Sequence, residues 1–251
     1  MRVLATVATG SVGRRLVPAL VRDAGRYGPP PGVRVVVGDP LDPGSFEDAL
    51  AVDAAYSPVH SMSPHDDFAA RDRRAARNFA DAASAAGVAW TVYLGGLGEE
   101  RHHLSAHLQS RREVERVLTT GTYALTTLRV AIVVGPRSAG FEMVVQLASR
   151  LPVTVTPRWV RTHHQPIAVA DLLAYLAGAF GVPETAGETH AVDGPEVVTY
   201  PETIRRTGRH PGNEPVVGTD DRLPHLVPVD PTPFDEAVRR ASTDRSVEAA
   251  A

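Results

Sequence analysis

The chain has 251 residues, a hydrophobic fraction of 43% and a formal net charge of −3 at pH 7. This length and apolar content suit one large α/β domain, or one domain with a small C-terminal lobe, and the charge gives no reason to expect a nucleic-acid partner. Disulfides and thiolate chemistry are excluded because the chain has no cysteine. We expect a cytoplasmic protein without a membrane segment, since no apolar stretch could span a bilayer and the N-terminus enters a strand pattern without a signal peptide.

All 26 basic side chains are arginines, because the sequence contains no lysine. Schiff-base chemistry and any mechanism that depends on a lysine ammonium are therefore excluded. Arginine supplies positive charge and bidentate hydrogen bonds, but it does not act as an ordinary acid or base.

The N-terminal stretch predicts a strand, a glycine-containing turn and a helix. Residues 3–6 form a short apolar run, a turn at 8–13 follows at once, and apolar residues then recur at helical spacing through Leu20 and Val21. This is the layout of the first unit of a dinucleotide-binding fold, in which backbone N–H groups at a helix N-terminus hold a pyrophosphate. Val7 departs from this pattern, since it stands where the first of three glycines is expected.

Two sets of residues are candidates for cofactor binding. The turn offers backbone N–H groups to a phosphate at Thr9, Gly10, Val12 and Gly13; the alternative is a packing turn that holds no ligand. Asp39 follows a predicted strand at 33–38, where a carboxylate can accept a ribose hydroxyl. The alternative for Asp39, which we favour, is a loop carboxylate that caps the region of Ser45.

The rest of the chain alternates strands with helices as far as residue 150. Further strands are predicted at 54–57, 88–94 and 123–134, and helices at 45–50, 66–86, 105–118 and 141–150. This alternation predicts an α/β fold over residues 1–150, with a Rossmann-like, doubly wound parallel sheet covered on both faces. From residue 151 the pattern loosens into an extended stretch at 153–162, a helix within 166–179, a strand at 189–192 and helices at 199–206 and 234–241. We expect residues 151–251 to form a smaller substrate-capping lobe and tail within one compact unit.

Four residues are candidates for catalysis. His60 and Ser61 come just after the strand at 54–57, and an α/β sheet places its active crevice at such strand ends. His107 and Arg111 lie one turn apart on the helix at 105–118. An imidazole can move protons near neutral pH, and a guanidinium can hold an anionic or enolate oxygen. The alternative for this pair is a solvated helix face on which Arg111 pairs with Glu115.

The remaining candidates are weaker. Trp159, flanked by arginines, could line a substrate lobe or simply pack within it, and Glu142 and Asp193 carry less weight still. Two histidine pairs occur, at 102–103 and 163–164. Since adjacent side chains diverge on a helix or strand, neither pair is expected to bind a metal alone, and no metal site is predicted.

Several blocks of sequence together resemble one family. They lie in the N-terminal glycine turn and at 36–42, 52–62, 71–79, 93–98, 107–114, 128–135, 151–159 and 193–195. These blocks resemble an atypical short-chain dehydrogenase/reductase of the NmrA-like, sugar-epimerase-related group, over most of residues 1–210. The resemblance implies a Rossmann fold that binds NAD(P), with the helix at 105–118 bordering the active crevice, but it does not fix a reaction.

Two departures from this family affect the predicted cofactor site. Val7 replaces the leading glycine, and Leu20 runs almost directly into an Arg22-Asp23 pair, as though the second strand were deleted. In relatives the end of that strand holds the adenosine ribose and any 2′-phosphate. If the strand is missing, the strand at 33–38 would lie beside the first one and Asp39 could bind the ribose.

Two further departures concern the reaction and the C-terminus. The Tyr-x-x-x-Lys dyad of the wider superfamily is absent, and His107 and Arg111 stand at the same spacing. Compared with the family, we expect a deletion after Arg209, where the tail resembles a junction to an extra domain that is itself missing.

Three functional hypotheses follow. The first, ranked narrowly ahead on the departures, is non-redox proton-transfer chemistry such as cyclisation, isomerisation or dehydration, with His107 as acid–base group and Arg111 as electrostatic stabiliser. Its substrate would be a polycyclic or polyketide-like small molecule of bacterial secondary metabolism, by analogy. The second is an NADP(H)-dependent reductase or epimerase, and the third is a non-catalytic NmrA-like dinucleotide sensor. NADP(H) binding is weakened under the first hypothesis, and the helices at 66–86 and 105–118 resemble faces through which relatives form homodimers.

Overall fold

The computed structural model describes residues 3–5, 19–21, 25, 35–57, 67–98, 105–136, 138–150, 163–208 and 222–250. The chain divides into two compact units, the first comprising Met1–Arg129 with Leu176–His190 and the second Val130–Tyr175 with Ala191–Ala251. The sequence pattern instead predicts a single boundary at residue 150. The segment 176–190 returns to the first unit because the strand at its end joins the sheet of that unit.

The described elements are short strands and longer helices. The strands are β1 (Val3–Ala5), β2 (Ala19–Val21), β3 (Val35–Val37), β4 (Ala54–Ser57), β5 (Trp90–Gly96), β6 (Ala124–Val130), β7 (Val133–Val134), β8 (His163–His164), β9 (Ile167–Ala168), β10 (Thr189–Ala191) and β11 (Val198–Thr199). The α-helices are α1 (Phe68–Ala85), α2 (Ala106–Leu118), α3 (Ala139–Arg150), α4 (Val169–Ala179), α5 (Tyr200–Gly208), α6 (Arg222–Leu226) and α7 (Phe234–Ala250).

The main sheet has the strand order β10-β6-β5-β4-β1-β2-β3. Five neighbouring strands are parallel, since β1 pairs with β2 and β4, β2 with β3, and β4 with β5. The chain winds outward from β1 to β3 and then crosses to β4, so the order reverses between β1 and β4. This is the doubly wound topology in which ligands bind beyond the carboxyl ends of the strands at the reversal point. The predicted Rossmann-like fold is confirmed.

Apolar side chains cover both faces of this sheet. On one face, α1 and α2 pack onto a core that contains Leu4, Leu20, Phe79, Tyr93 and Leu118. On the other face, the ring of Phe180 lies 4.8 Å from that of Tyr56 and 5.6 Å from that of Trp90. Neighbouring residues of a strand point to opposite faces, which is why strands buried on both sides read as continuous apolar runs.

The predicted loss of the second strand is wrong. The spacing of Leu20 and Val21 predicts that they belong to the first helix, but they lie in β2 and are only 1% and 2% exposed. β3 pairs with β2 and not with β1, so the strand before Asp39 has not moved inward. An apolar triplet fits helical and strand periodicity equally well, and the partners on both sides of β2 decide the outcome. A connection of 13 residues (6–18) joins Ala5 to Ala19.

The second unit contains two small sheets and the C-terminal helices. β7 pairs with β9 in parallel, and β8 pairs with β11 antiparallel. Its core includes Phe141 of α3 and Phe234 of α7. The strand predicted at 123–134 is split, because β6 ends at Val130 and β7 begins at Val133. In the described parts of the chain, the helices are all too short or too polar to cross a membrane.

Candidate functional site

Three of the predicted site residues lie in the described part of the chain, namely His107, Arg111 and Asp39. The others, His60, Ser61, Thr9, Gly10, Val12 and Gly13, lie outside the described residues. The geometry of the candidate site is therefore that of α2 and the carboxyl end of β5, together with the loop that follows β3.

The structure brings His107 and Arg111 together. The hydroxyl of Ser105 caps α2 by accepting the N–H of Leu108 at 3.3 Å, which places His107 in the first turn and Arg111 in the second. Nε of Arg111 donates a hydrogen bond to Nε2 of His107 at 3.1 Å. Nη1 of Arg111 donates to the carbonyl oxygen of Leu94 at 3.3 Å, which ties the guanidinium to β5.

The end of β5 is glycine because α2 packs directly onto it. A Cβ at Gly96 would lie 2.9 Å from Cδ of Arg111 and 2.7 Å from Cδ2 of Leu108. The sequence showed this glycine only as the end of a strand. In the structure it allows the backbone to approach the stem of Arg111, so the guanidinium is held close to the strand end.

Tyr93 supports the same arginine from the core. Its hydroxyl donates to the backbone carbonyl of Arg111 at 3.2 Å, and its side chain is completely buried. Burial raises the pKa of Tyr93 well above its ordinary value, with the nearby charge of Arg111 acting against that shift. Tyr93 is therefore a neutral hydrogen-bond donor that fixes the position of α2.

Asp72 is a functional candidate that the sequence analysis missed. It lies on α1 and is only 5% exposed, and its charge raises the pKa of His107 and of Arg111. A signal was present, since Asp72 falls at helical spacing between Phe68 and Phe79 on the apolar face of α1. A carboxylate at such a position is rarely buried without a partner charge.

His107 is neutral near pH 7. Burial lowers its pKa below the ordinary histidine value, the charge of Arg111 lowers it further, and Asp72 opposes both effects. Because Nε2 accepts a hydrogen bond from Arg111, the ring proton lies on Nδ1. The lone pair that a base would use is thus engaged by the guanidinium.

The predicted pairing of Arg111 with Glu115 is absent. Glu115 instead accepts from Arg129 of β6 at 2.6 Å and from Arg112 at 3.3 Å. Arg112 also donates to the carbonyl oxygen of Gly98 at 2.6 Å, just beyond β5. This cluster holds the segment after β5 against α2. Because Glu115 is occupied by Arg112 and Arg129, it does not pair with Arg111.

The contacts of Asp39 are local. Its carboxylate accepts the N–H of Leu41 at 3.0 Å, and its own N–H donates to the hydroxyl of Ser45 at 2.9 Å. These bonds build the turn after β3, in agreement with the loop role. β2 lies between β3 and β1, so the rearrangement under which Asp39 was expected to reach the ribose is not present.

A groove of about 440 Å³ opens between the loop after β3 and the first turns of α1. Its lining includes Leu41, Asp67, Arg71 and Arg74. Arg74 donates to the carbonyl oxygen of Leu41 at 3.3 Å, which ties the helix to the loop. The volume lies within the range of about 300–1,000 Å³ found for small-molecule sites. The groove lies on the β3 side of the sheet, at its carboxyl edge.

The remaining predicted candidates belong to the second unit or lie outside the described residues. Glu142, Asp193 and the 163–164 pair lie in the second unit, and Trp159 lies outside the described residues. Nε2 of His164 is hydrogen-bonded with the hydroxyl of Thr203 at 3.0 Å, and the ring of His164 packs on that of Tyr200. Where the chain is described, no cluster of three histidine or carboxylate side chains could hold a metal ion.

No protein-family model and no curated protein matches the sequence. Solved structures do match. A short-chain dehydrogenase/reductase superfamily protein from Agrobacterium tumefaciens with bound NAD has a TM-score of 0.73 at 20% identity, over 99% of this chain and 98% of that one. UDP-glucuronic acid 4-epimerase from Bacillus cereus in complex with NAD has a TM-score of 0.74 at 14% identity, over 98% and 96% of the two chains. Yeast methylglyoxal/isovaleraldehyde reductase complexed with NADPH has a TM-score of 0.76 at 13% identity, over 99% of both chains.

Proposed function

We propose that this chain, which has the fold of the short-chain dehydrogenases/reductases, is an NAD(P)-dependent reductase or epimerase of a small molecule. The observation that carries the proposal is β2, which lies between β1 and β3 and ends at Val21. In a doubly wound sheet the end of the second strand holds the adenosine ribose. One of the three departures that weakened nicotinamide chemistry, a deleted second strand, therefore no longer counts against it.

Two further features support dinucleotide binding. Arg22 and Asp23 directly follow β2 in the sequence, where an acidic residue binds the ribose hydroxyls of NAD and an arginine accommodates the 2′-phosphate of NADP. Arg71 and Arg74 line the groove and offer two more cations to the 2′-phosphate of NADP. Two features oppose the proposal: Val7, which lies outside the described residues, and the absence of the Tyr-x-x-x-Lys dyad.

The chain's own residues supply charge and a proton carrier. A bound nicotinamide ring would accept or give a hydride. Arg111 is fixed by Leu94, Tyr93 and the close approach of Gly96, so it presents a positioned cation at the end of β5. His107, neutral beside it, can accept a proton from a substrate hydroxyl or return one to a carbonyl oxygen once a substrate oxygen replaces Nε2 as the acceptor of the Arg111 Nε–H.

Proton-transfer chemistry without hydride transfer is the second candidate. It is favoured by one observation, the direct hydrogen bond between Arg111 and His107 where the superfamily has tyrosine and lysine. Under this candidate the same two residues would act on a substrate with an acidic C–H or O–H group, and a polycyclic or polyketide-like compound is one such class.

Calorimetric titration with NADPH, NADP, NADH and NAD tests the proposal. We expect micromolar binding of at least one of them. Absence of binding at millimolar concentration would overturn the reductase and epimerase assignment and favour proton-transfer chemistry. Binding with no turnover across a panel of carbonyl compounds and sugar nucleotides would favour a non-catalytic dinucleotide sensor instead.

We further propose that the protein forms a homodimer through α1 and α2. These helices pack on each other, and Arg73 on one donates to Glu113 on the other at 2.6 Å. Both side chains of this pair are about 40% exposed, at 43% and 40%, so the face that they share is open to a second copy. Sedimentation equilibrium tests this, and a monomer at micromolar concentration would contradict it.

A further inference from the structure

We propose that Arg111 binds an anionic group of the substrate, a carboxylate or an enolate oxygen, and that the bound anion makes His107 a stronger base. The inference rests on the proposed function only in placing the reaction at these two residues. It specifies the chemical group that the substrate must carry, and the fold alone does not specify that group.

Arg111 makes no ion pair in the described part of the chain, although the charge of Asp72 is near enough to raise its pKa. Its hydrogen bonds go to neutral acceptors, the imidazole of His107 and the carbonyl oxygen of Leu94. A guanidinium has five N–H donors, so three remain for a ligand. Desolvated cations in proteins are normally paired, and burial alone lowers the pKa of Arg111.

The neighbouring arginines make the contrast clear. Arg112, the next residue, pairs with Glu115, and Arg129 pairs with the same carboxylate at 2.6 Å. Glu115 stands four residues after Arg111, at the spacing that favours an ion pair on a helix, yet its carboxylate is directed away. The chain thus has a carboxylate within reach of Arg111 and uses it elsewhere.

The position of Arg111 suits an incoming anion. The stem of Arg111 is fixed against Gly96 and its backbone is held by Tyr93, so little ordering is needed on binding. The side chain is partly exposed, which gives a dissolved ligand access. The first turn of α2 adds the positive end of a helix dipole, which also favours negative charge.

The same anion would change His107. The charged groups that face this imidazole are Arg111 on its own helix and Asp72 on α1, and the ring of Phe68 packs near it with centroids 6.4 Å apart. An anion on Arg111 cancels the charge that disfavours protonation, while Asp72 still favours it. The anion replaces Nε2 of His107 as the acceptor of the Arg111 Nε–H and so frees the Nε2 lone pair. His107 then accepts a proton from a substrate oxygen or carbon at Nε2, the electron pair stays on the substrate, and Nδ1 keeps its own hydrogen.

Oxalate, a planar dianion with the shape of a small enolate, is the probe. Nitrogen NMR of protein labelled at its 10 histidines follows the ring of His107, assigned by the signal that His107→Gln removes. We expect oxalate at millimolar concentration to raise the pKa of His107 by half a unit or more. Arg111→Gln should abolish both oxalate binding and the shift, whereas Arg116→Gln, an exposed arginine on the same helix, should leave both intact.

The wild-type titration decides the matter even if Arg111→Gln fails to fold. The proposal is overturned if saturating oxalate leaves the His107 pKa unchanged. It is also overturned if oxalate at about 50 mM binds no better than acetate at the same concentration. An equal loss of binding in Arg116→Gln would also overturn it, because the effect would then be general surface charge. The cofactor titrations test the proposed function separately. Oxalate binding without NAD(P) binding would overturn the proposed hydride chemistry and keep the anion site. NAD(P) binding without oxalate binding would keep the hydride chemistry and overturn the anion site.

Discussion

Oε1 of Glu115 lies 2.6 Å from Nη2 of Arg129, and this ion pair joins α2 to β6. The same carboxylate side chain also accepts from Arg112, which donates to the carbonyl oxygen of Gly98. Glu115 and Arg112 are both buried. The cluster therefore fixes the segment after β5 against the helix that carries the candidate site.

Replacing Glu115 by glutamine should lower the free energy of unfolding by about 3 kcal/mol, because it leaves a buried guanidinium without its counter-charge. Urea unfolding measures this difference. The matched control is Glu113→Gln, which breaks the half-exposed pair with Arg73 and should cost less than about 1 kcal/mol. Equal losses in the two variants would show that the buried cluster is worth no more than a surface pair.

Gly96→Ala should displace Arg111. The added methyl group would meet the side chains of Leu108 and Arg111 at 2.7 and 2.9 Å, so both have to move. We expect a loss of roughly 1–3 kcal/mol in unfolding free energy and weaker oxalate binding. Gly140→Ala is the control, since its methyl group would lie at an ordinary 3.4 Å from Ile132 and a helical alanine is favourable. Unchanged oxalate affinity in Gly96→Ala would contradict the close approach.

The alternation of strands and helices could be predicted because long periodic segments bury one face. The apolar positions Ala75, Phe79 and Ala83 are buried on α1 as the helical spacing indicated. Short segments carry too little pattern: Leu20 and Val21 fit a helix on spacing, and only their neighbours β1 and β3 make them a strand.

The candidate site could be predicted only where its residues are close in sequence. His107 and Arg111 are one turn apart, so the helix itself brings them together. The partner of Glu115 is different, because Arg129 comes from another strand and outcompetes the expected partner on the same helix. Asp72 approaches the site from α1, and no local spacing relates it to α2.

Asp23 and Asp39 should respond differently to substitution. Because Asp23 follows β2, Asp23→Ser should weaken NADH binding by about tenfold or more, the loss of one hydrogen bond to a charged group. Asp39→Ser should leave NADH affinity unchanged, since the Asp39 carboxylate serves the N–H of Leu41. Calorimetry on both variants measures this. The reverse pattern would indicate that Asp39 binds the ribose, and it would contradict the proposal that the end of β2 holds the adenosine ribose.

His164 should make the fold acid-sensitive. Burial lowers its pKa from 6.5 to about 4, with the neighbouring His163 adding to the effect. A group whose pKa is depressed by folding contributes its stability above the unfolded pKa, so stability should fall between pH 6.5 and 4, by roughly 3 kcal/mol in total. Urea unfolding at several pH values tests this. His164→Gln should flatten that dependence, whereas His225→Gln, on an exposed helix position, should reproduce the wild-type slope.

Asp72→Asn should lower the pKa of His107 further. The carboxylate of Asp72 is the charge that favours the imidazolium, while burial and Arg111 disfavour it. Asparagine keeps the shape of the side chain and removes that charge, so only the unfavourable effects remain. A rate that depends on neutral His107 would then keep its full value to lower pH, and the acidic limb of the pH–rate profile should move to lower pH with the pKa.

Nitrogen NMR of the histidine ring measures the pKa of His107 directly, without a substrate. Asp81→Asn, an exposed aspartate on the same helix, is the control and should leave it unchanged. A rise in the His107 pKa in Asp72→Asn would place the charge of Asp72 outside this site.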